Sequence, residues 1–314
     1  MTLKVVVTDN IFPDLDIERE ALKAIGATLE EYQCKNVEEI IDKVKDADAL
    51  LNIYAIVSKK TIDSLEKCKI IARYGIGVDT IDLEAARERG IYVTNVPDYC
   101  VDEVSDHAMA LLLASVRKIV PLHRTVQSGI WSIQEQRPMY RLRGQTLGFM
   151  GFGKIARLVK EKAAPFGFKF IAYDPFLKES PDKEVDLVEL QDLFSRSDYL
   201  SLHTPLTPET RGMVNYSLLS LMKPTAIIIN TARGPVINED DLVKALDEKK
   251  IGGAALDVLK QEAISKDDPL LGRDNVIITP HAAYYSEEAT VEQRNKAVMQ
   301  IIKTFRNEKP DYLV

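Results

Sequence analysis

Arg233, Glu262 and His281 each stand a few residues beyond an apolar run that reads as a strand. In NTARGP, Arg233 should therefore lie at the carboxyl edge of a sheet, where α/β folds bind ligands. A guanidinium grips a carboxylate through two parallel hydrogen bonds that Lys cannot reproduce, which suits a small organic acid. His281 follows NVIITP, and an imidazole that changes charge near neutral pH can exchange the proton of a hydroxyl that becomes a carbonyl. Glu262, in LDVLKQEA, comes from the loop after the preceding strand and can hydrogen-bond that imidazole, fixing its tautomer and favouring its protonated form. Singly, each reads as an ordinary loop residue. Their weight comes from sharing one edge of one sheet.

A second constellation lies upstream in LGFMGFGKIA (147–156), which is nearly G-x-G-x-x-G with Ala156 in the last glycine place. A strand precedes it, and a helix follows to Ala164, ending before Pro165 with Gly167 just beyond. In a strand–turn–helix of this kind Gly151 permits the bend and Gly153 lets backbone N–H groups approach a pyrophosphate at the helix N-terminus. The third position needs only a small side chain, and alanine satisfies it. The next strand ends at Asp174, about twenty residues on, where an acid accepts from ribose hydroxyls and repels a 2′-phosphate, favouring NAD over NADP. The turn residues Gly151, Phe152, Gly153, Lys154 and Ile155, with Asp174, are the first candidate cofactor contacts.

Further candidates follow at strand ends. His203, Thr204, Pro205 and Thr210 belong to LHTPLTPETR, and Thr231 and Ala232 precede Arg233; all are read as cofactor-side. Asp257 can accept from a nicotinamide carboxamide, or can cap its own loop. His107, inside an apolar helix, reads as a packed, hydrogen-bonded core residue, and His123 as an interface or surface residue.

The elements that must position these residues alternate. KVVVT (4–8), a helix from Asp16, ATLEEY (27–32), a helix from Val37, ALLNIY (49–54) and KIIARY (69–74) read as βαβ units of a buried parallel sheet. After a long apolar helix, roughly 101–119, come TLGFMG, KFIAYD, YLSLH, AIIINTA, GGAALDV and NVIITP, a second doubly wound sheet. Boundaries fall at NVPDYC (95–100) and TPHAAYYSEE (279–288), so a final helix that packs back on the first domain would make two crossings and a hinge over a cleft. Residues 120–145, polar, Arg-rich and holding Trp131, read as a functional or interface arm.

The 314 residues, 46% hydrophobic, suffice for two domains. The net charge of −7, from 41 basic and 48 acidic residues without a basic block, gives no footprint for nucleic acid or an anionic membrane. Cys34, Cys68 and Cys100 form neither a disulfide framework nor a metal set, which fits a reducing cytoplasm. Neither a signal peptide nor a membrane anchor is expected, since the apolar stretch AMALLLASV is far shorter than a membrane span.

Taken together, ARYGIGVDTID (72–82), NVPDYCVDEVSDHAMALLL (95–113), LGFMGFGKIA, LHTPLTPETRGM (202–213), NTARGPVIN (230–238), AALDVLKQE (254–262) and TPHAAYYS (279–286) resemble, in order and spacing, the NAD-dependent D-2-hydroxyacid dehydrogenase family. The resemblance implies a catalytic trio of Arg233, Glu262 and His281, with Arg233 holding and polarising the substrate, His281 exchanging the proton and Glu262 tuning it. It implies backbone N–H groups of the loop Tyr74, Gly75, Ile76 and Gly77 on the carboxylate, with Arg73 and Tyr284 also on the substrate side. It places the nicotinamide near Arg233, Asp257 and the long helix. It also implies a flavodoxin-like substrate domain (1–99 plus 285–314), an inserted Rossmann domain (100–284), and a homodimer through residues 100–145 with an arm at about 120–145. Within the family the wording is similar to bacterial relatives of the C-terminal-binding-protein corepressors, which have Trp where this chain has Tyr284. That similarity keeps open an NAD(H)-sensing binding protein, and Arg73 keeps open a phosphorylated substrate such as 3-phosphohydroxypyruvate. Glu262, where formate-oxidising relatives carry Gln, argues against formate, and the end at Val314 argues against a C-terminal regulatory domain.

Overall fold

A computed structural model describes residues 2–314, and the chain divides into two compact units. One comprises the chain up to Tyr99 together with Ser286–Val314; the other is Cys100–Tyr285.

In the first unit β1 (Leu3–Val7), β2 (Ala27–Glu31), β3 (Ala49–Asn52), β4 (Ile70–Arg73) and β5 (Tyr92–Thr94) form a parallel sheet in the order β2-β1-β3-β4-β5. β3 and β4 are buried along their whole length, which is why their sequences are continuous apolar runs without alternation. β5 is missing from the sequence reading. It has three residues at the sheet edge, with Tyr92 exposed, so its apolar signal is short.

The helix Glu287–Phe305 starts at Ser286, whose side chain accepts the N–H of Ala289, and it packs against the helix Asp16–Leu22 and β4. A buried ion pair fastens this contact. Arg294 Nε and Nη2 donate to Glu18 Oε1 and Oε2 at 2.9 and 2.7 Å. The Tyr74 hydroxyl donates to the same Glu18 Oε1 at 3.0 Å, and burial together with that carboxylate pushes its pKa well up.

The second unit carries β6 (Thr146–Met150), β7 (Lys169–Tyr173), β8 (Val185–Leu187), β9 (Tyr199–Leu202), β10 (Ile227–Asn230), β11 (Gly253–Leu256) and β12 (Val276–Ile278). They form one parallel sheet in the order β12-β11-β10-β9-β6-β7-β8. Separate apolar clusters cover its two faces. In one of them the helices Val101–Val116 and Lys154–Ala163 pack together through Ala108, Met109, Leu112, Ala156, Val159 and Ala163.

Two details depart from the sequence reading. The long helix ends at Val116 because Lys118 turns left-handed, with φ 51°, and a second helix, Ile119–Gln127, then occupies the start of the expected arm. The edge strand β8 also went unread, since Asp186 interrupts its apolar pattern. Among the described residues no helix is long and apolar enough to cross a membrane.

Candidate active site

The second sheet runs outward from β6 through β7 to β8, and the chain then returns to the other side of β6 as β9. The carboxyl ends of β6 and β9 therefore flank a topological switch point, the place where open α/β sheets take ligands. The glycine turn lies there. Gly151 has φ 84°, its N–H donates to Tyr173 O at 2.8 Å, and a Cβ on it would stand 2.9 Å from the carbonyl oxygen of His203. Any side chain would thus meet both a disfavoured backbone conformation and a neighbouring main chain.

Gly153 is the N-cap of the helix Lys154–Ala163, has open space where a Cβ would be, and no side chain caps the helix. The first-turn N–H groups are left for an anion, reinforced by the helix dipole. The Asp174 carboxylate accepts the N–H of Phe152 at 2.9 Å and that of Phe176 at 3.0 Å, which ties the end of β7 to the turn. Thr231 has a buried hydroxyl with no partner among the described residues. An open helix end, an acid beside it and an orphaned hydroxyl just past β10 fit a dinucleotide. Ala156, fully buried against Phe149 and Phe152, takes the small-residue place in the turn.

Other residues expected on the cofactor side are partly committed to the fold. Burial pushes the His203 imidazole down to about 3, so it is neutral; its Nε2 lies 2.8 Å from Ser201 Oγ and its ring packs on Phe149. Thr204 Oγ1 donates to Met150 O at 2.9 Å, and Thr210 Oγ1 donates to Pro205 O at 2.6 Å, shaping the loop that contains Pro205. The Ala232 N–H donates to Asn230 Oδ1 at 3.0 Å, while Asn230 Nδ2 donates to Arg233 O at 3.0 Å. Asn230, fully buried, was not singled out from sequence, yet it folds the loop that presents Arg233.

Arg233, Glu262 and His281 leave the same edge of the sheet, because β10, β11 and β12 are parallel neighbours. His281 Nδ1 lies 2.7 Å from Glu262 Oε1, with the two side chains 21% and 44% exposed. The imidazole is thus both partnered and reachable. His281 has φ 51°, rare for a residue with a Cβ, and its N–H donates to Asp257 O at 2.8 Å. Tyr284 sets its ring edge-on to the imidazole at 5.7 Å.

Asp257 does cap its loop. Its Oδ1 accepts from Thr279 Oγ1 at 2.6 Å and Ala282 N at 2.9 Å, and Oδ2 accepts from Ala283 N at 2.9 Å. Burial would raise its pKa, but these bonds and His107 outweigh it and hold the carboxyl below its usual range. His107 is only partly buried, with Nε2 2.9 Å from Thr279 Oγ1, so the expected core residue instead serves this loop.

In the first unit the Tyr74 N–H donates to Asn52 O at 2.8 Å and its side chain is buried on Glu18. Tyr74 is therefore taken up by the fold, and the anion-binding expectation passes to the N–H groups of Gly75, Ile76 and Gly77. Arg73, 7% exposed, folds back over Gly75, where a Cβ would fall 1.9 Å from its Nη1. Gly75, with φ 133°, alone makes room for that guanidinium.

A doubly wound parallel sheet with a glycine turn, an acid beside that turn and a histidine–carboxylate pair at its carboxyl edge fits an NAD-dependent oxidoreductase. A family model described as D-isomer specific 2-hydroxyacid dehydrogenase, NAD binding domain, matches residues 109–283. The glyoxylate reductase of Korarchaeum cryptofilum is 41% identical over 88% of this chain and 85% of its own length. The D-3-phosphoglycerate dehydrogenase of Methanocaldococcus jannaschii is 39% identical over 99% of this chain, which spans 59% of that relative. The crystal structure of D-lactate dehydrogenase from Aquifex aeolicus, complexed with NAD and lactic acid, is similar with a TM-score of 0.89 at 29% identity, covering 97% of this chain and 96% of that one. The chain belongs to the NAD-dependent D-isomer-specific 2-hydroxyacid dehydrogenases.

Proposed function

We propose that the protein reduces glyoxylate, or a 2-keto acid of similar size, to the 2-hydroxy acid with NADH and runs the reverse reaction with NAD, using Arg233, Glu262 and His281. The observation that carries this reading is the 2.7 Å contact between His281 Nδ1 and Glu262, made by a partly exposed imidazole on a left-handed turn. The similarity to glyoxylate reductases supports the substrate class. 3-Phosphohydroxypyruvate remains the second substrate to test, because the chain is also similar along nearly its whole length to a D-3-phosphoglycerate dehydrogenase.

Bound NADH would supply the hydride that becomes the new C2–H bond. The chain's own part is charge and proton management. Arg233 pairs the substrate carboxylate and polarises the adjacent carbonyl. With Nδ1 held by Glu262, the other ring nitrogen, Nε2, faces the carbonyl oxygen and gives it a proton, and the carboxylate stabilises the imidazolium before transfer. In the oxidation direction the same nitrogen takes the hydroxyl proton. Gly151–Ile155 and Asp174 would hold the dinucleotide, with His203, Thr204, Pro205 and Thr210 on one side and Thr231 and Ala232 on the other. Gly75, Ile76 and Gly77, with Arg73 and Tyr284, would receive the substrate, which makes the first unit the substrate domain. The homodimer, its arm at residues 120–145 and a cytoplasmic location belong to the same reading.

Initial rates with NADH against glyoxylate, hydroxypyruvate, pyruvate and 3-phosphohydroxypyruvate test it. His281→Ala and Arg233→Ala should each lower turnover on the best acid by at least about a hundredfold. Near-normal turnover in either variant would remove that residue from the chemistry.

A further inference from the structure

We propose that His107 is a positioning residue for this reaction: its Nε2–H donates to Thr279, whose hydroxyl donates to Asp257, and the chain of bonds holds the turn that presents His281. The inference rests on His281 being the proton-exchanging group. It assigns a role to a polar side chain that immediately precedes the apolar stretch AMALLLASV.

The direction of each bond follows from counting protons. An ionised carboxylate only accepts, and Asp257, with a fully buried side chain, stands 2.6 Å from Thr279 Oγ1. The single hydroxyl proton of Thr279 is therefore spent on Asp257. Only lone pairs of Oγ1 remain for His107 Nε2, 2.9 Å away, so that nitrogen must carry a hydrogen. The same Nε2 lies 3.3 Å from Asp257 Oδ1, an acceptor as well, which agrees with that assignment and with no other. In its neutral form His107 is then the Nε2–H tautomer.

What the chain of bonds holds is local to His281. Asp257 Oδ1 accepts from Ala282 N, Oδ2 from Ala283 N, and the main-chain carbonyl of Asp257 from His281 N. Three consecutive N–H groups thus hang on one residue. A non-glycine at φ 51° persists only where its surroundings over-determine it, and here those surroundings are Asp257. A leucine at position 107 would suit an apolar helix yet would leave a lone pair of Thr279 unmet and loosen the Thr279 end of the bond chain that bears on Asp257. The imidazole of His281 would then spend less time in the orientation that transfers a proton.

The test uses the full chain with NADH and glyoxylate, or whichever acid of the screen turns over fastest. His107→Leu should lower kcat by about tenfold or more while both KM values stay within about twofold, and His107→Gln, whose amide nitrogen replaces Nε2–H, should recover most of the loss. In a His281→Ala background, His107→Leu should cost nothing further. Unchanged kcat in His107→Leu, equal losses in Leu and Gln, or full additivity with His281→Ala would overturn the proposal. An independent readout is the imidazole nitrogen spectrum of the protein, which has only four histidines. His107 should show the Nε2–H pattern, and an Nδ1–H tautomer would overturn the proposal whatever the rates. Should His281→Ala itself keep its turnover, it is the proton-transfer reading that falls, and the tautomer still reports on the bond chain.

Discussion

Asp174 and Asp257 are both strand-end carboxylates, and sequence reading placed them on the cofactor side; their partners separate them. Among the described residues the Asp174 carboxylate accepts the N–H groups of Phe152 and Phe176, which leaves lone pairs for a ligand at the glycine turn. Asp174→Ser should therefore raise kcat/KM for NADPH relative to NADH by at least about tenfold, since a like-charge repulsion of a few kcal/mol is removed. A ratio unchanged by the substitution would take Asp174 out of cofactor selection. Asp257 is spent on its own loop, and its folded pKa is depressed below the ordinary 3.8. The ionised form is thus favoured by folding. Its contribution to stability is fully present above that value and is lost as pH falls through the lower folded one. Urea unfolding of wild type and Asp257→Asn should differ by a constant amount above about pH 5 and converge in more acid solution. The spacing of LDVLKQEA puts Glu262 in the loop after a strand, but nothing in it distinguishes an acid that waits for a ligand from one that caps a turn.

The elements show a similar division. Buried strands are continuous apolar runs, which is why β1, β3, β4, β6, β9 and β10 can be read directly. Edge strands bury less, so β5 and β8 leave little trace. Glu18, on the short helix Asp16–Leu22, reads as a surface acid because amphipathic helices normally carry such residues outward. It is instead fully buried, paired with Arg294 from the other end of the chain. Removing Glu18 leaves the buried Arg294 guanidinium to the half-exposed Asp14, 3.1 Å away, so Glu18→Ala should destabilise by about 3–5 kcal/mol in urea unfolding. A loss below about 1 kcal/mol would show that the pair is as weak as a surface one. The same change frees the Tyr74 hydroxyl, next to the loop proposed for the carboxylate.

At the scale of the molecule, residues 119–140 expose several large apolar side chains. Ile119, Ile130, Trp131, Ile133 and Tyr140 are all exposed, Trp131 at 90%, in a segment with little else to bury them. Clustered apolar exposure of this kind marks an interaction site, and the proposed homodimer would cover it. Sedimentation should find a dimer that Trp131→Arg combined with Ile130→Arg converts to monomer; a wild-type monomer at micromolar concentration would end that proposal. The family, the alternation of two parallel sheets and the glycine turn are legible in the chain because they depend on near neighbours: a run of apolar residues, a bend, an acid about twenty residues on. The stretch LGFMGFGKIA is legible from its own strand and helix alone. Which polar side chains are consumed by the fold depends on contacts between residues far apart in sequence, such as Glu18 with Arg294 or His107 with Thr279. Only the folded chain brings those together, and so only it separates the carboxylates and histidines that hold the site from those left to work in it.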